Sequence, residues 1–543
     1  MSSTIIARLA HTIFFELGKQ FRMSYVPPLM VYLAAGVSGL TGIVGTFFIK
    51  DYLDLSAGFI ASLGFWAGIP WALKMPLGHL VDLIWRWKFL LVYLGAALIA
   101  ASIAIMYGLI AHTLWMATLW SINAWYVLSV LLAPIGYVVQ DVVADAMTVE
   151  AVPIIDETGQ PLDEKQIKLM HTTMQTLGRI AIISGFVLVA ALNIVMFSGI
   201  ETMSETGKSE VYARIYLLAL AIPIISIIGV TLGEISTRKR ILNLRDLGVT
   251  SQKKDCLEER AQITTKPNWK IFGGSLIFVA LTISIGLSQV PFDQEIIFVG
   301  SMVVVIFLMR NLILELPSTV RGTLVGTATI IFMFRAMPAP GAGTTWWEID
   351  ILGFDQQFLS VLSLITSCLT LAGMLALRSF MATNSIAVVV FWLTIATAIL
   401  SLPNIGLYYG LHEWTSIWSN GVIDARFIAI FDTLLESPLG QISMIPMLAW
   451  IAKNAPSNLK ATFFAVFASF TNLALSASNL GTKYLNQFFT ITREVRDKVS
   501  GEITTTADYT QLGHLLITVA IISLVVPVAT ILLVQRSSLK TEQ

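Results

Sequence analysis

Apolar runs of about 20 residues, the length a helix needs to cross a bilayer, recur along this chain from one end to the other. They fall at 25–48, 57–81, 89–111, 123–149, 169–197 and 212–234. A polar stretch follows at 235–269, and the runs resume at 270–291, 294–316, 323–341, 357–378, 385–403, 424–452, 459–481 and 512–535. Inside hydrocarbon a backbone N–H or C=O has no water to pair with, so a lone spanning segment must be a helix. The fold expected is all-α and polytopic, with about 14 transmembrane helices. Composition agrees: 13% of the residues are charged, against about 25% in an ordinary soluble domain.

The same composition removes several classes of function. Net charge is zero, which gives no electrostatic hold on nucleic acid. Cys256 falls in a polar loop and Cys368 in an apolar run, so no disulfide scaffold is implied. No Walker loop, nucleotide fingerprint, metal-ligand cluster or nucleophile constellation is legible. The expectation is no enzyme, no cofactor and no metal; any work done must draw on a gradient of ion or substrate. With both termini placed in the cytoplasm, 23 of the Lys and Arg residues fall on the inner side and 7 on the outer. That asymmetry is the positive-inside signature, and it goes with an integral, multi-pass protein of a bacterial-type inner (plasma) membrane, taken as a monomer.

The organisation read from the runs is a surface helix at 1–24, a six-helix bundle at 25–234, a cytoplasmic linker at 235–269, two additional helices at 270–316, a second six-helix bundle at 323–535 and a cytoplasmic tail at 536–543. In 1–24, Ile5, Ile6, Leu9, Ile13 and Leu17 oppose Arg8, Glu16, Lys19 and Arg22, as in a helix lying in the membrane interface. Two bundles joined by a cytoplasmic loop is the plan of transporters that rock two repeats about a central site.

The ionisable residues inside the runs narrow the reading. A charge at membrane depth costs a few kcal/mol on even the lenient insertion scales, so it faces protein, an ion or water. Asp141 and Asp145 share one helix face, with Gln140 beside them. They can carry a proton or meet substrate, or form a structural ion pair with Lys74 or Arg179. Lys74 can equally snorkel to the interface, and Trp71, one turn away, can stack on a flat ring or simply pack. Gln175 lies one turn from Arg179. Asp432 and Glu436 repeat the four-residue spacing beside Pro438, with Arg426 above; they are either an ion site or mutually neutralised. Arg335, beside Pro338 and Pro340, can bind a carboxylate or anchor at the outer interface. Trp346 and Trp347 are expected in the outer aromatic belt, and Gly36, Gly39, Gly42 and Gly45 in a packing stripe.

Several motifs carry a resemblance. Gly78-His-Leu-Val-Asp82-Leu-Ile-Trp-Arg86-Trp-Lys88 resembles the cytoplasmic signature of the major facilitator superfamily, with Gly78, Asp82 and Arg86 as gating residues. Pro70-Trp71-Ala-Leu-Lys74-Met-Pro76 precedes it. Gln140-Asp141-Val-Val-Ala-Asp145, Phe334-Arg335-Ala-Met-Pro338-Ala-Pro340, Leu352-Gly-Phe354-Asp355, Gly440-Gln441-Ile-Ser-Met-Ile-Pro446, Ala455-Pro456, Lys460-Ala-Thr462-Phe-Phe-Ala465 and Asn472 follow. In order and spacing these are similar to the folate–biopterin transporter family, a branch of that superfamily. The chain departs from the family pattern in its two additional helices and in Lys460, where an acid is expected before Ala-Thr.

The resemblance implies a major-facilitator-type fold and proton-coupled movement of pterins or folates by alternating access. The residues suit such cargo: carboxylates for the guanidine-like edge of a pterin, arginine for a glutamate tail, aromatic rings for its faces. Two rivals stand beside it: a carrier of another small organic anion, and a non-transporting membrane scaffold or pigment-assembly factor on the same fold. A scaffold needs no buried charges, and Asp141, Asp145, Arg179, Asp432 and Glu436 argue against it.

Overall fold

A computed structural model describes residues 21–540 apart from 53–54, 73, 75–76, 78–79, 82–83, 85–86, 153–161, 247–283, 286–289, 315–317, 377–383, 437–459 and 497–502. Residues 1–20 of the interfacial helix expected at 1–24, most of the run at 270–291, and Gly78, Asp82 and Arg86 lie outside the described residues.

The first group of helices is α1 (Val26–Val37), α2 (Gly42–Tyr52), α3 (Ala57–Ala72), α4 (Phe89–Ala111), α5 (Thr113–Leu119), α6 (Ile122–Ala151), α7 (Glu164–Met196), α8 (Glu205–Ala219) and α9 (Ala221–Asp246). Then come α10 (Asp293–Ile313), α11 (Ser318–Arg335), α12 (Ala342–Asp350), α13 (Gln356–Ala376), α14 (Ile386–Tyr408), α15 (Leu411–Trp418), α16 (Ala425–Glu436), α17 (Lys460–Phe488) and α18 (Leu512–Arg536), with a small hairpin of β1 (Val495–Arg496) and β2 (Ile503–Thr505) before α18. Among the described residues, 8 helical stretches are long and apolar enough to cross a membrane.

Local chemistry sets several ends. Pro27 and Pro28 occupy the first turn of α1, where the missing N–H costs nothing. Ser121, Ser204 and Ser385 cap α6, α8 and α14 by accepting the N–H of Ala124, Gly207 and Val388. α11 stops at Arg335, short of the 341 expected, because Pro338 and Pro340 cannot donate into a continuing helix. Gly341, at φ +86°, then turns the chain into α12, a conformation that side chains other than glycine rarely adopt. α9 runs on to Asp246, into the stretch read as linker, with Arg238 and Lys239 exposed on it.

The glycine stripe does not act as one face. A methyl on Gly36 would lie 2.1 Å from the Ile182 carbonyl oxygen, so α1 and α7 touch backbone to backbone there. Gly42 meets nothing within 4 Å, because the 3-10 turn Ser38–Thr41 shifts the helical phase between α1 and α2. The contact that repeats this pattern is Gly95 on Gly136, which joins α4 to α6.

The two groups meet along two seams: α3 runs against α17, and α7 against α13. Along the first seam Gly58 faces Lys483 and Gln487, Gly64 faces Asn479, and Gly68 faces Ser476, so the helices are antiparallel. The start of α3 and the end of α17 therefore share one face of the molecule, here the distal face. The starts of α1 and α11 and the end of α18 lie at the opposite, termini face, where Thr323 meets Lys540. Two polar contacts join the groups at the distal face. Arg493 Nη1 donates to the Leu55 carbonyl at 3.1 Å, and Gln356 Nε2 to the Tyr212 hydroxyl at 2.8 Å.

Trp346 and Trp347 are not in an outer belt. Both are buried, at 2% and 6% exposure, and the Arg493 guanidinium lies 4.6 Å over the Trp346 ring. The break at Pro338–Gly341 folds α12 inward beneath the hairpin. Among the described residues the exposed tryptophans are Trp87, Trp115, Trp120, Trp392, Trp414 and Trp418, four of them on and beside the short helices α5 and α15.

Candidate functional site

Among the described residues, a cluster of charge lies where α1, α6 and α7 meet Lys74, just past the end of α3. The i, i+4 spacing of Asp141 and Asp145 on α6 puts both carboxylates on one side, and one ammonium spans them. Lys74 Nζ is 2.6 Å from Asp141 Oδ2 and 2.6 Å from Asp145 Oδ2. The Tyr32 hydroxyl of α1 donates to the other oxygen of Asp145 at 2.6 Å. Gly178 of α7 sits against the Tyr32 ring, where an added methyl would come within 2.9 Å of a ring carbon. The side chains of Lys74 and Asp141 are 16% and 18% exposed, whereas Asp145 is 48% exposed. Asp145 is thus the open edge of an otherwise enclosed triad.

Two arginines add positive charge nearby, and neither is in an ion pair among the described residues. Arg179 is near the middle of the 33-residue α7, exposed, and close enough for its charge to act on Asp141 and Tyr32. Arg335 closes α11 in the other group of helices, and its Nε is buried with no hydrogen-bond partner among the described residues. The two guanidiniums are near enough to act on one another. Each half thus contributes a cation to one place, and among the described residues neither is ion-paired. Across these five residues, Lys74, Arg179 and Arg335 set three cations against the two carboxylates, which leaves room for an anion.

The structure separates the other sequence-selected residues from this cluster. Gln140 is buried and turned away: its amide donates to the Val92 carbonyl at 3.2 Å, and its oxygen accepts from Ser226 at 3.0 Å. Trp71 joins the seam through its carbonyl, which accepts from Asn472 at 3.1 Å. The helical positions of Gln175 and Glu436 are described, but their side chains lie outside the described residues. Arg426 does not serve Asp432. It pairs with Asp355 at 3.0 Å, donates to the Gly353 carbonyl at 3.0 Å and rests on the Phe358 ring. Asp432 is 5% exposed and accepts from Asn404 at 3.1 Å, and the charge of Glu348 on α12 reaches it.

Tyr32, Asn404 and Glu348 were not selected from the sequence. Tyr32 is one aromatic residue among many in an apolar run, and only the packing of α1 on α6 reveals its partner. Glu348 lies outside every apolar run counted, so its approach to Asp432 was hidden by the inward fold of α12.

The sequence profile of the BT1 family matches residues 35–542. A folate-biopterin transporter of Synechocystis sp. is 28% identical over 144 residues, which cover 26% of this chain and 28% of that protein. The match therefore spans less than a third of that relative's length. Among solved structures, the peptide transporter POT in complex with sulfate superposes with a TM-score of 0.58 at 14% identity, over 95% of this chain and 96% of that one. A POT family transporter in complex with 5-aminolevulinic acid gives 0.58 at 11%, over 94% and 96%. The xylose transporter XylE from E. coli, in its inward-open conformation, gives 0.50 at 12%, over 93% and 96%. Likeness at these identities shows the fold: the all-helical, polytopic membrane architecture of the major facilitator type.

Proposed function

Since the chain belongs to the BT1 family, a family of transporters and not of enzymes, we propose that it is a secondary carrier of pterin-like or folate-like organic anions working by alternating access. One observation carries the choice of an anion: Arg335 of the second half lies within electrostatic reach of Arg179 of the first, and its Nε is buried with no hydrogen-bond partner among the described residues. Two like charges near one another favour a ligand that supplies the missing negative charge. A carboxylate bridging them would draw the halves onto itself, which is what a rocking carrier requires of its cargo. The name of the Synechocystis relative supports folates and biopterins as the class of cargo.

In this reading the Lys74–Asp141–Asp145 triad is the coupling element. While both acids are ionised, Lys74, two residues past the end of α3, ties the chain there to α6. A proton arriving at Asp145, the exposed member, weakens that tie and frees the ammonium for a cargo carboxylate. Loss of the proton on the other side restores the pair. Proton and anion then move together with their charges balanced. The positive-inside asymmetry supports cytoplasmic termini, so the distal face is outer, in a bacterial-type inner membrane. The chain's fourteen apolar runs are read as two six-helix bundles with two added helices between them, acting as a monomer.

A thermal-shift screen of purified protein against pterins, folates and other organic anions, repeated across pH, tests this reading. Stabilisation by folates or pterins that grows as pH falls supports it. Stabilisation confined to other anions reassigns the cargo, and indifference to all of them rejects the carrier reading.

A further inference from the structure

The added helix α10 lies on the seam between the halves, and its first turn is tied to both. Glu295 pairs with Lys483 of α17 at 3.1 Å, and its carboxylate also accepts from the Tyr484 hydroxyl at 2.5 Å. Gln294, only 4% exposed, uses its two amide atoms in opposite directions. Its oxygen accepts from Lys483 Nζ at 3.2 Å, while its NH2 donates to the Ser62 hydroxyl of α3. Asp293 fixes the turn by accepting the Gln294 backbone N–H at 2.8 Å. Beneath these contacts Phe65 and Ile69 of α3, Ile297 of α10 and Leu480 of α17 form one small apolar cluster.

The two attachments differ in kind. On the α17 side α10 is held by an ion pair and two further hydrogen bonds from adjacent residues. On the α3 side the tie is Gln294 to Ser62, over apolar contacts that are non-directional and can slide. If the halves part at the distal face, α10 stays with α17, because Lys483 holds Gln294 and Glu295 together. Ser62 is then the partner lost and regained. We propose that Gln294 is a gating residue of the transport cycle: α10 is a strap fixed to the second half, and the Gln294–Ser62 bond latches the distal seam shut. This rests on the alternating-access reading, though not on the identity of the cargo. It gives the inserted helix a task, since a hydrogen bond between α3 and α17 alone would leave the outer flank of the seam uncovered.

The test uses full-length protein in nanodiscs and no substrate, so it fails or succeeds separately from the anion reading. Leu480→Cys, with Cys256 and Cys368 replaced by Ala, reports opening of the distal seam through its rate of labelling by a soluble maleimide. Adding Gln294→Ala raises that rate by roughly three- to tenfold, the factor one buried hydrogen bond contributes to a two-state balance. A second variant guards against misfolding. In the cysteine-free background, Ser62→Cys with Gln294→Cys closes a disulfide only if the strap is seated as described. The labelling assay is then repeated with Leu480→Cys blocked or free, the cross-link having been formed first. Labelling is read at the Leu480→Cys peptide by mass spectrometry, so that the thiols freed at positions 62 and 294 are not counted; labelling of that peptide near background in the linked protein, recovered on reduction, supports the latch. Labelling unchanged by Gln294→Ala, or equal in the linked and reduced forms, overturns it.

Discussion

Lys74, just past the end of α3, meets Asp141 of α6 with Nζ 2.6 Å from Oδ2, and the same nitrogen is 2.6 Å from Asp145. One ammonium thus answers for two acids inside the membrane, and the third partner, Tyr32, holds only Asp145. The arrangement is stable while the triad is complete and expensive to break from one side.

Replacing Lys74 by Met leaves two carboxylates in a confined site with no cation in contact. Removing one partner of an enclosed ion pair costs roughly 3 kcal/mol. The expected result is a clear fall in the thermal midpoint of the purified protein. Adding Asp141→Asn and Asp145→Asn to Lys74→Met returns most of the loss, since no uncompensated charge remains. A Lys74→Met protein as stable as the parent shows that the ammonium is not the structural tie.

Asp141→Asn and Asp145→Asn keep side-chain shape and remove the exchangeable charge. Concentrative uptake into proteoliposomes is expected to disappear in each, while exchange of cargo down its own gradient persists. Full accumulation in both variants separates these acids from coupling.

Dissipating the proton gradient with an uncoupler lowers the accumulation ratio of wild-type protein, with the initial rate of downhill exchange little changed. Accumulation that ignores the uncoupler removes protons from the cycle.

Gly36→Val places a side chain where the Ile182 carbonyl oxygen already lies, 2.1 Å from the first added carbon. α1 and α7 must separate, with loss of expression or a lowered thermal midpoint. Gly42→Val, where nothing lies within 4 Å, is tolerated. Equal behaviour of the two variants contradicts the packing described for α1.

Much of the fold was legible because hydropathy is a local signal: a helix such as Phe89–Ala111 announces itself by length and composition alone. The buried charges were legible for a related reason, since an Asp in an apolar run demands a partner wherever it sits. Which partner was not. Lys74 and Arg179 were equal candidates for Asp141, and only the approach of α3 to α6 decides for Lys74. Arg426 seemed placed for Asp432 by spacing along α16, yet it belongs to Asp355, which the turn at Gly353 brings beneath it. Trp346 and Trp347 were misplaced because a belt and a buried corner have the same composition. The turn at Gly341 separates them, and turns of that kind leave little trace in hydropathy.

The claim that two arginines from opposite halves hold one anion is open to a double-mutant cycle in binding. Dissociation constants for a folate or pterin are measured by calorimetry for the parent, Arg179→Gln, Arg335→Gln and the pair. Each single change is expected to weaken binding by about tenfold or more. The double variant should be little worse than either, because both guanidiniums serve the same carboxylate. Parental affinity in both single variants, or losses that simply add, would contradict a shared anion between the halves.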